Sequence, residues 1–367
     1  MNFATAPIMI DFANKSLDFT PHDTKFIPGS ARIAACGISP NGKGALSIVE
    51  LDRDGTKDLV HDLSFRSSGI KCATFGASRQ GEGHLAIGNY DGSLSIHEID
   101  IIQNGQNTSE LFCVKAHDGI INAVDGIGGG TTCCNNGAPE LVTGGKDGCV
   151  KVWDPRTTKP VLSLAPNDTT SARDCWTVAF GDSYNSEERS IIAGFDNGDV
   201  KLFDLRTNKL SWETNVENGV TSLQFDRQDT RKNKVVVTTL ESQFRCYDMR
   251  TQHSTGDGFA FTAEKAHRST VWISKFLPQN RDIFLTAGGN GGLNIYKYSY
   301  PKNRVGKHGQ DGSPIGIAGS VELLNSRVIS TQPVTSFDWS PDRQGLCCLS
   351  SMDQTLRVML ISKLEKH

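Results

Sequence analysis

The sequence has no feature that indicates a secreted, membrane-bound or nucleic-acid-binding protein. No apolar run approaches the roughly 20 residues that a membrane-spanning helix needs. The formal net charge is only -3, which gives no general attraction to nucleic acid or to an anionic membrane. None of the 10 cysteines forms a C-x-x-C pair, so neither a zinc site nor a secreted disulfide framework is indicated. These absences predict a protein of a reducing compartment, the cytoplasm.

The sequence also lacks a complete signature of an enzyme or of a cofactor site. Gly37, Gly42 and Lys43 have the spacing of a phosphate-binding loop. However, Gly44 stands where that loop needs a serine or threonine to hold magnesium. No nucleophile elbow and no activated cysteine is recognisable. We therefore predict no catalytic residue, no cofactor and no bound metal.

One pattern recurs along the whole chain: an apolar pair, small residues, a polar tight turn, and an alternating strand ending in an aromatic residue and an acid. Its clearest copies are residues 141–154 and 191–204. The residue two places after the turn position aligns in seven copies, 44 to 63 residues apart: Leu46, Leu94, Val150, Val200, Phe244, Leu293 and Leu356. A four-stranded propeller blade typically spans about 40–45 residues. The excess lies in polar insertions at residues 103–110, 126–136 and 302–319, and the last is predicted to be disordered from its composition.

The pattern predicts an all-β fold, a seven-bladed WD-repeat β-propeller. Asp147-Gly148 and Asn197-Gly198 suit the positive backbone angles of tight hairpin turns. A single blade cannot bury its apolar faces, so seven must stack and close. The last copy leaves too little chain for its own outer strand, and residues 7–12 are the best donor of that strand. We predict one domain over residues 1–367, with a closing strand and lead-in at 1–19, blades at 20–361 and a tail at 362–367.

Four polar or aromatic side chains of the third copy match the hydrogen-bond relay of WD repeats. His117 precedes the first strand, Thr143 lies on the second, Asp147 lies in the turn and Trp153 lies on the third. An imidazole can bridge the aspartate and the threonine, whose hydroxyl then accepts the indole N–H. Because buried polar groups must be paired, we interpret His117 as structural rather than catalytic. His267 begins a partial version of the same relay, together with Thr286, Asn290 and Tyr296.

Several residues near the start of the inner strands are not needed by the repeat and are candidates for protein binding. They are Lys71, Lys146, Arg173, Asp174, Trp176, Phe195, Arg268 and Trp272. Exposed tryptophan and arginine near the centre of a concave surface are common anchors of protein interfaces. The alternative is that Trp176 and Trp272 pack between blades.

Seven short runs lie outside the generic repeat and carry a more specific resemblance. They are residues 173–181, 197–206, 212–215, 249–253, 264–267, 277–281 and 340–346. These runs resemble the Monad family of WD-repeat proteins, which serve as axonemal dynein assembly factors. The resemblance covers blades two to seven, whereas residues 1–55 agree in spacing only.

The resemblance implies a co-chaperone adaptor that is a monomer on its own and catalyses no reaction. The implied partners are a prefoldin-like co-chaperone assembly with its tetratricopeptide adaptor, and dynein heavy chains as clients. The implied location is the cytoplasm, in dynein assembly foci, with an association with the cilium. The family is also linked to apoptosis and to methylated histone tails.

Two other functions stay open at this stage. The first is a substrate receptor of a cullin-based ubiquitin ligase, because Arg156, Arg206 and Arg250 each stand two places after a blade-ending acid. Such arginines can dock on a ligase adaptor, although pairing with acids of an adjacent blade is the favoured alternative. The second is a reader of methylated peptides, in which Trp176, Trp272 and Phe195 would form an aromatic cage for a methylammonium group.

Overall fold

Each copy of the repeat folds into a four-stranded antiparallel sheet, and seven such sheets form a seven-bladed WD-repeat propeller. The structure, a computed structural model, describes residues 6–52, 55–77, 82–99, 108–128, 140–166, 172–185, 187–251, 258–308 and 314–367. Only the backbone is described for residues 55–67, 108, 307 and 308. Within these ranges, no helix is long and apolar enough to span a membrane, and the one helical element is the 3₁₀ turn Leu364–Lys366.

The strands of the first four blades follow the chain without interruption. Blade 1 comprises β2 Thr20–Phe26, β3 Arg32–Ile38, β4 Lys43–Asp52 and β5 Gly55–Ser68. Blade 2 comprises β6 Ile70–Thr74, β7 His84–Asn89, β8 Ser93–Ile99 and β9 Thr108–Lys115. Blade 3 comprises β10 Ile121–Gly126, β11 Leu141–Gly145, β12 Val150–Trp153 and β13 Pro160–Leu164. Blade 4 comprises β14 Cys175–Gly181, β15 Ser190–Phe195, β16 Asp199–Asp204 and β17 Lys209–Asn215.

The last three blades include an inserted hairpin and the closure of the ring. Blade 5 comprises β18 Val220–Phe225, β19 Lys234–Thr239, β20 Gln243–Asp248 and β21 Phe261–Lys265. Blade 6 comprises β22 Val271–Leu277, β23 Asn280–Gly288, β24 Gly292–Ser299 and β27 Ser320–Val328. Between β24 and β27, β25 Val305–His308 and β26 Pro314–Gly316 form a separate two-stranded hairpin. Blade 7 comprises β28 Val334–Trp339, β29 Leu346–Ser351, β30 Thr355–Ser362 and β1 Ile8–Ser16.

The predicted closure by an N-terminal strand is confirmed. Strand β1 pairs antiparallel with β30, from Ile8 opposite Ser362 to Ser16 opposite Thr355. Met9 of β1 is 6% exposed and packs in the cluster between blades 6 and 7. Two side chains of β27 bind carbonyls on the other edge of β1: Asn325 donates to Pro7 O at 2.6 Å and Arg327 to Met9 O at 2.7 Å. These contacts cover an edge that would otherwise be open to another strand.

The core lies between blades rather than within one central mass. Seven apolar clusters of described residues each join two neighbouring blades. The seven aligned residues of the repeat all lie on the third strand of their blade and are at most 1% exposed: Leu46, Leu94, Val150, Val200, Phe244, Leu293 and Leu356. Period-two alternation thus fills each interface, as the sequence pattern predicts.

The prediction of disorder over residues 302–319 is wrong for most of the segment. Arg304 binds the buried carboxylate of Asp248 at 3.0 Å, and the backbone of Gly316 packs closely on Thr251. These contacts order the hairpin despite its polar composition, because a buried ion pair holds its base. Residues 309–313 lie outside the described residues, as do most of the other two predicted insertions, at 103–107 and 129–136.

Candidate protein-binding site

The third blade brings together the four side chains of the predicted relay. His117 Nδ1 lies 2.9 Å from Asp147 Oδ1, and His117 Nε2 lies 2.8 Å from Thr143 Oγ1. Thr143 Oγ1 also accepts the indole N–H of Trp153 at 2.9 Å. Burial by itself would raise the pKa of Asp147, but hydrogen bonds from His117 and from two backbone N–H groups lower that pKa to about 2. The relay links two strands, the turn between them and the segment that precedes the first strand, and its polar atoms bond to one another.

The sixth blade holds part of the same arrangement. His267 Nε2 lies 2.9 Å from Thr286 Oγ1, and Asn290 bonds the backbone N–H of Gly292 at 3.3 Å. Burial lowers the pKa of His267 to about 4, although hydrogen bonds to Thr286 and Asn290 act in the opposite direction. Tyr296 bonds Asn294 at 3.2 Å. Both histidines are therefore parts of the blade framework and do not face a substrate site.

A bulge occurs at the same position in the innermost strand of all seven blades, and the bulged residues surround one mouth of the central channel. Each register shift leaves one extra residue, which follows the first paired residue of the strand in blades 2 to 7 and the second in blade 1. We call these residues the mouth ring: His22, Lys71, Asn122, Trp176, Thr221, Trp272 and Thr335. All seven line a cavity of about 620 Å³. A bulge re-aims a side chain, and here it turns one residue per blade towards the opening.

The mouth ring is apolar on one side and polar on the other. Trp176 of blade 4 and Trp272 of blade 6 flank Thr221 of blade 5. The indole of Trp272 is 42% exposed, and that of Trp176 is partly buried. Met352, also on the cavity wall, is 46% exposed. Exposed aromatic and thioether side chains around a concavity are the composition of a protein-binding site.

The opposite side of the mouth carries one cation beside a neutral imidazole. His22 bonds the hydroxyl of Tyr90 at 3.0 Å. Burial, and secondarily the charge of Lys71, lower the pKa of His22 to about 4. His22 is thus uncharged near neutral pH, and Lys71 is the charged member of the mouth ring.

Next to the mouth ring along the inner strands lies a belt of charged residues of both signs. It comprises Asp23, Lys25, Asp125, Lys275 and Asp338. Lys25 pairs with Asp23 at 2.5 Å, whereas Asp338 and Asp125 accept backbone N–H groups of the next blade, from Phe26 at 2.9 Å and Phe180 at 2.8 Å. Burial raises the pKa of Asp125 and of Asp338. The belt satisfies inner-strand N–H groups that no further strand covers, so its first role is to join blades.

The structure separates the predicted rim residues into two groups. Lys71, Trp176 and Trp272 belong to the mouth ring. Lys146, Arg173, Asp174 and Arg268 lie at the same end of the propeller, in the turns and strand entries outside the cavity wall; Asp174 is partly buried and the other three are exposed. Sequence reasoning missed His22, Asn122, Thr221 and Thr335. No sequence signal marked them, because each is placed by a shift of register between two strands.

Comparison with known proteins gives near full-length relatives. Human dynein axonemal assembly factor 10 is 48% identical over 361 residues, which cover 98% of both chains. The chain belongs to the dynein axonemal assembly factor 10 family. The Chlamydomonas reinhardtii member is 46% identical over 369 residues, 100% of each chain, and the Dictyostelium discoideum member is 25% identical over 382 residues, 96% of this chain and 95% of its own. Residues 102–277 match the nucleolar protein 10-like N-terminal domain family, and residues 325–358 match the WD domain, G-beta repeat.

In this member of the dynein axonemal assembly factor 10 family, Phe195 is not on the rim, contrary to the sequence-based expectation. It is 8% exposed and packs in the cluster between blades 3 and 4. Phe195 ends β15, a second strand whose residues are all buried because both faces of the sheet are covered there. The proposed aromatic cage therefore lacks one of its three walls.

Two of the three blade-ending arginines of this family member, Arg156 and Arg206, pair within their own blade, and not with an adjacent blade as expected. Arg156 binds Asp154 at 2.6 Å and Arg206 binds Asp204 at 3.4 Å. The two guanidinium side chains remain 71% and 63% exposed. In blade 5 the acid, Asp248, binds Arg304 instead.

The mouth is lined by both apolar and polar side chains. The described residues contain no group of histidine, cysteine and carboxylate side chains that would hold a metal ion. The cavity wall offers two indoles, one thioether, three ammonium groups, two carboxylates and several short hydroxyl and amide side chains. Such a wall suits an inserted apolar side chain with polar groups around it.

Proposed function

We propose that the protein is a non-catalytic adaptor in the preassembly of axonemal dynein, and that it acts in the cytoplasm. The observation that carries the proposal is the relationship, at 46–48% identity over nearly the whole chain, to proteins named dynein axonemal assembly factor 10. A rigid ring with preformed surfaces lowers the ordering cost of binding partners. The adaptor role links a prefoldin-like co-chaperone assembly, through its tetratricopeptide subunit, to dynein heavy chains as clients.

The composition of the mouth ring supports it as the binding site for one of these partners. Trp176 and Trp272 are the tryptophans on the cavity wall, and neither is needed to form a blade interface cluster. In contrast, Trp153, Trp212 and Trp339 are at most 7% exposed and lie within interface clusters. We assign the mouth ring to partner binding, with Trp176 and Trp272 as its anchors.

The test is affinity purification of the tagged protein from ciliating cells, followed by mass spectrometry. The wild type is expected to recover prefoldin-like co-chaperone subunits and dynein heavy chains. The double variant Trp176→Ala, Trp272→Ala is expected to lose one of these two groups at least tenfold. Its matched control is Val161→Ser, Leu210→Ser, which removes exposed apolar side chains from the outer strands of blades 3 and 4.

One outcome contradicts the adaptor role, and another contradicts the assignment of the mouth ring to partner binding. Recovery of a cullin and its adaptor without chaperone components replaces it with the ligase-receptor role, and Arg156 and Arg206 then become the residues to change. Equal recovery by the double variant and the wild type keeps the adaptor role but removes the mouth ring from it.

A further inference from the structure

Lys275 is a charged residue of the cavity wall that its neighbours leave without a partner. It lies on β22, three residues beyond Trp272, and both side chains line the cavity. Among the described residues, the ammonium group of Lys275 forms no ion pair and donates no hydrogen bond. The neighbouring inner strands β18 and β28, and the turns at residues 239–243 and 351–355, are all described. No acid in these described surroundings pairs with Lys275.

The acids of the belt are held by the blades instead. Asp125 Oδ2 accepts the backbone N–H of Phe180 and the side-chain amide of Gln228, both at 2.8 Å. Asp338 Oδ2 accepts a backbone N–H of blade 1 at 2.9 Å. These bonds direct the two carboxylates to the junctions between blades. The third acid of the belt pairs with the other lysine. Of the two lysines of the belt, Lys275 is therefore the one without a carboxylate in contact.

These surroundings disfavour the charge of Lys275. Burial, and next the charge of Lys25, lower the pKa of Lys275, although the acids of the belt act in the opposite direction. A carboxylate in contact with the ammonium group opposes both effects, because an opposite charge nearby favours the charged form. The site therefore favours a ligand that brings its own negative charge.

A single negative charge suits this position better than a phosphate group. A phosphate group carries about -1.5 to -2 charge at pH 7 and is best held by several cations. The other lysine of the wall without an ion pair among the described residues is Lys71. Lys71 is on blade 2 and Lys275 is on blade 6, with blades 7 and 1 between them. The geometry thus favours a carboxylate.

Apolar surface lies beside Lys275 at the mouth. Trp272 of the same strand is 42% exposed, and Met352 of the next blade is 46% exposed. A strand rises about 3.3 Å per residue, so Trp272 and Lys275 are at most about 10 Å apart along β22. The four-carbon stem of a lysine and the side chain of a glutamate together span this distance. A segment with an apolar residue on the indole can therefore place the carboxylate of the next residue on the ammonium group.

We propose that the mouth binds a protein segment in which a glutamate follows a large apolar residue. The apolar side chain packs on Trp272 and Met352, and the glutamate carboxylate forms an ion pair with Lys275. This inference rests on the proposed function, since it names the chemistry of the partner that the mouth ring binds. Trp272 then supplies affinity, and Lys275 supplies the selectivity for an acid.

The test measures fluorescence anisotropy of labelled decapeptides titrated with the purified full-length protein. The peptides have blocked ends and a glycine–serine sequence around one central pair, which is Phe–Glu, Phe–Gln or Phe–Lys. We expect the Phe–Glu peptide to bind at least about tenfold more tightly than the Phe–Gln peptide, the usual scale for a desolvated charge pair. Lys275→Gln is expected to abolish this difference, Lys275→Arg to retain it, and Lys275→Glu to favour the Phe–Lys peptide. Trp272→Ala is expected to weaken the binding of all three peptides to a similar extent.

The matched control is Lys209→Gln, which removes an exposed lysine from the outer strand of blade 4 and leaves the three affinities unchanged. The melting temperature of Lys275→Gln is expected to equal that of the wild type, because no described residue pairs with that ammonium group. A large fall in its melting temperature assigns Lys275 to the framework and overturns the proposal.

Equal affinity for the Phe–Glu and Phe–Gln peptides, or no saturable binding of the Phe–Glu peptide, also overturns it. So does tighter binding of a Phe–phosphoserine peptide, or of a peptide that ends in Phe with a free carboxylate. Binding that depends on Trp272 but not on Lys275 overturns this inference and keeps the mouth ring as a binding site. These measurements use no chaperone or dynein component, so their failure leaves the adaptor role to its own experiment.

Discussion

The indole N–H of Trp153 donates to Oγ1 of Thr143 across two strands of blade 3, at 2.9 Å. The same hydroxyl contacts His117, which makes Thr143 the centre of the relay. Thr143 is 0% exposed and Trp153 is 2% exposed, so water does not replace either bond.

Thr143→Val is therefore expected to lower the free energy of unfolding although it keeps the side-chain shape. It leaves the buried indole N–H and one imidazole nitrogen without a partner, and one such group costs about 1–3 kcal/mol. Urea unfolding followed by tryptophan fluorescence measures the change. The control is Thr262→Val on the outer strand of blade 5. Equal loss in the two variants contradicts a special role for the relay.

Stability is expected to fall as the pH falls from about 6.5 to about 4, and His267 contributes to that fall. Burial lowers the pKa of His267 from 6.5 to about 4 in the folded state. Between these values the unfolded chain binds more protons, so stability rises with pH. The contribution of His267 to the free energy of unfolding is complete above pH 6.5 and is lost as the pH falls towards 4. His267→Leu should flatten the dependence of the urea midpoint on pH between 7 and 5; an unchanged slope excludes His267 as a cause.

The tryptophans of the chain are expected to divide into two energetic classes. Trp272→Ala should lower the free energy of unfolding by less than about 1 kcal/mol, because its side chain is 42% exposed. Trp153→Ala should cost about 3–5 kcal/mol, the usual result of truncating a buried aromatic residue. Chemical denaturation of both variants makes the comparison. A large loss for Trp272→Ala assigns that residue to the framework and removes it from the mouth ring's binding role.

Closure of the ring by β1 is expected to depend far more on the buried side chain of Met9 than on the exposed side chain of Ile10. Met9→Ser should cost about 2–5 kcal/mol, because Met9 is 6% exposed in the cluster between blades 6 and 7. Ile10→Ser should change stability little, since Ile10 is 46% exposed. Thermal unfolding of the pair tests the alternation along β1. If Ile10→Ser is as damaging as Met9→Ser, the register of β1 on β30 is incorrect.

The attachment of the hairpin is expected to fail when Arg304 is removed. Arg304→Ala leaves the carboxylate of Asp248, which is fully buried, without its cation. The hairpin should then exchange its amide hydrogens faster over residues 302–319, as measured by hydrogen–deuterium exchange with mass spectrometry. Arg156→Ala is the control, because that arginine is 71% exposed and binds an acid of its own turn. No increase in exchange means that Gly316 packing alone holds the hairpin.

The propeller was predictable from sequence because its repeat follows local chemistry. Turn pairs such as Asp147-Gly148 fix where strands meet: Gly148 has a φ of 74°, a region that favours glycine. Alternation then fixes which face is buried, and Val150 and Val152 are at most 3% exposed as that rule requires. Each of these signals acts over a few residues, so each survives in a single sequence.

The site was less predictable because it depends on features without a local pattern. The bulges that turn Trp176 and Thr221 towards the channel are changes of register between two strands. Arg156 pairs with Asp154 because both lie in one turn, in which Arg156 N also donates to Asp154 Oδ1 at 3.0 Å. Asp248 instead pairs with Arg304, which is far from it in sequence. Phe195 was misjudged because exposure at a strand end depends on the neighbouring blade.

The pairing of β1 with β30 also orders events during synthesis. Residues 8–16 leave the ribosome long before their partners at residues 355–362. Until then the first blade and the unfinished last blade both expose a flank that the closed ring buries. Stable closure is thus a late, long-range step that loop entropy makes slow. A nascent chain of this protein is expected to need shielding from aggregation until residues 355–362 have emerged.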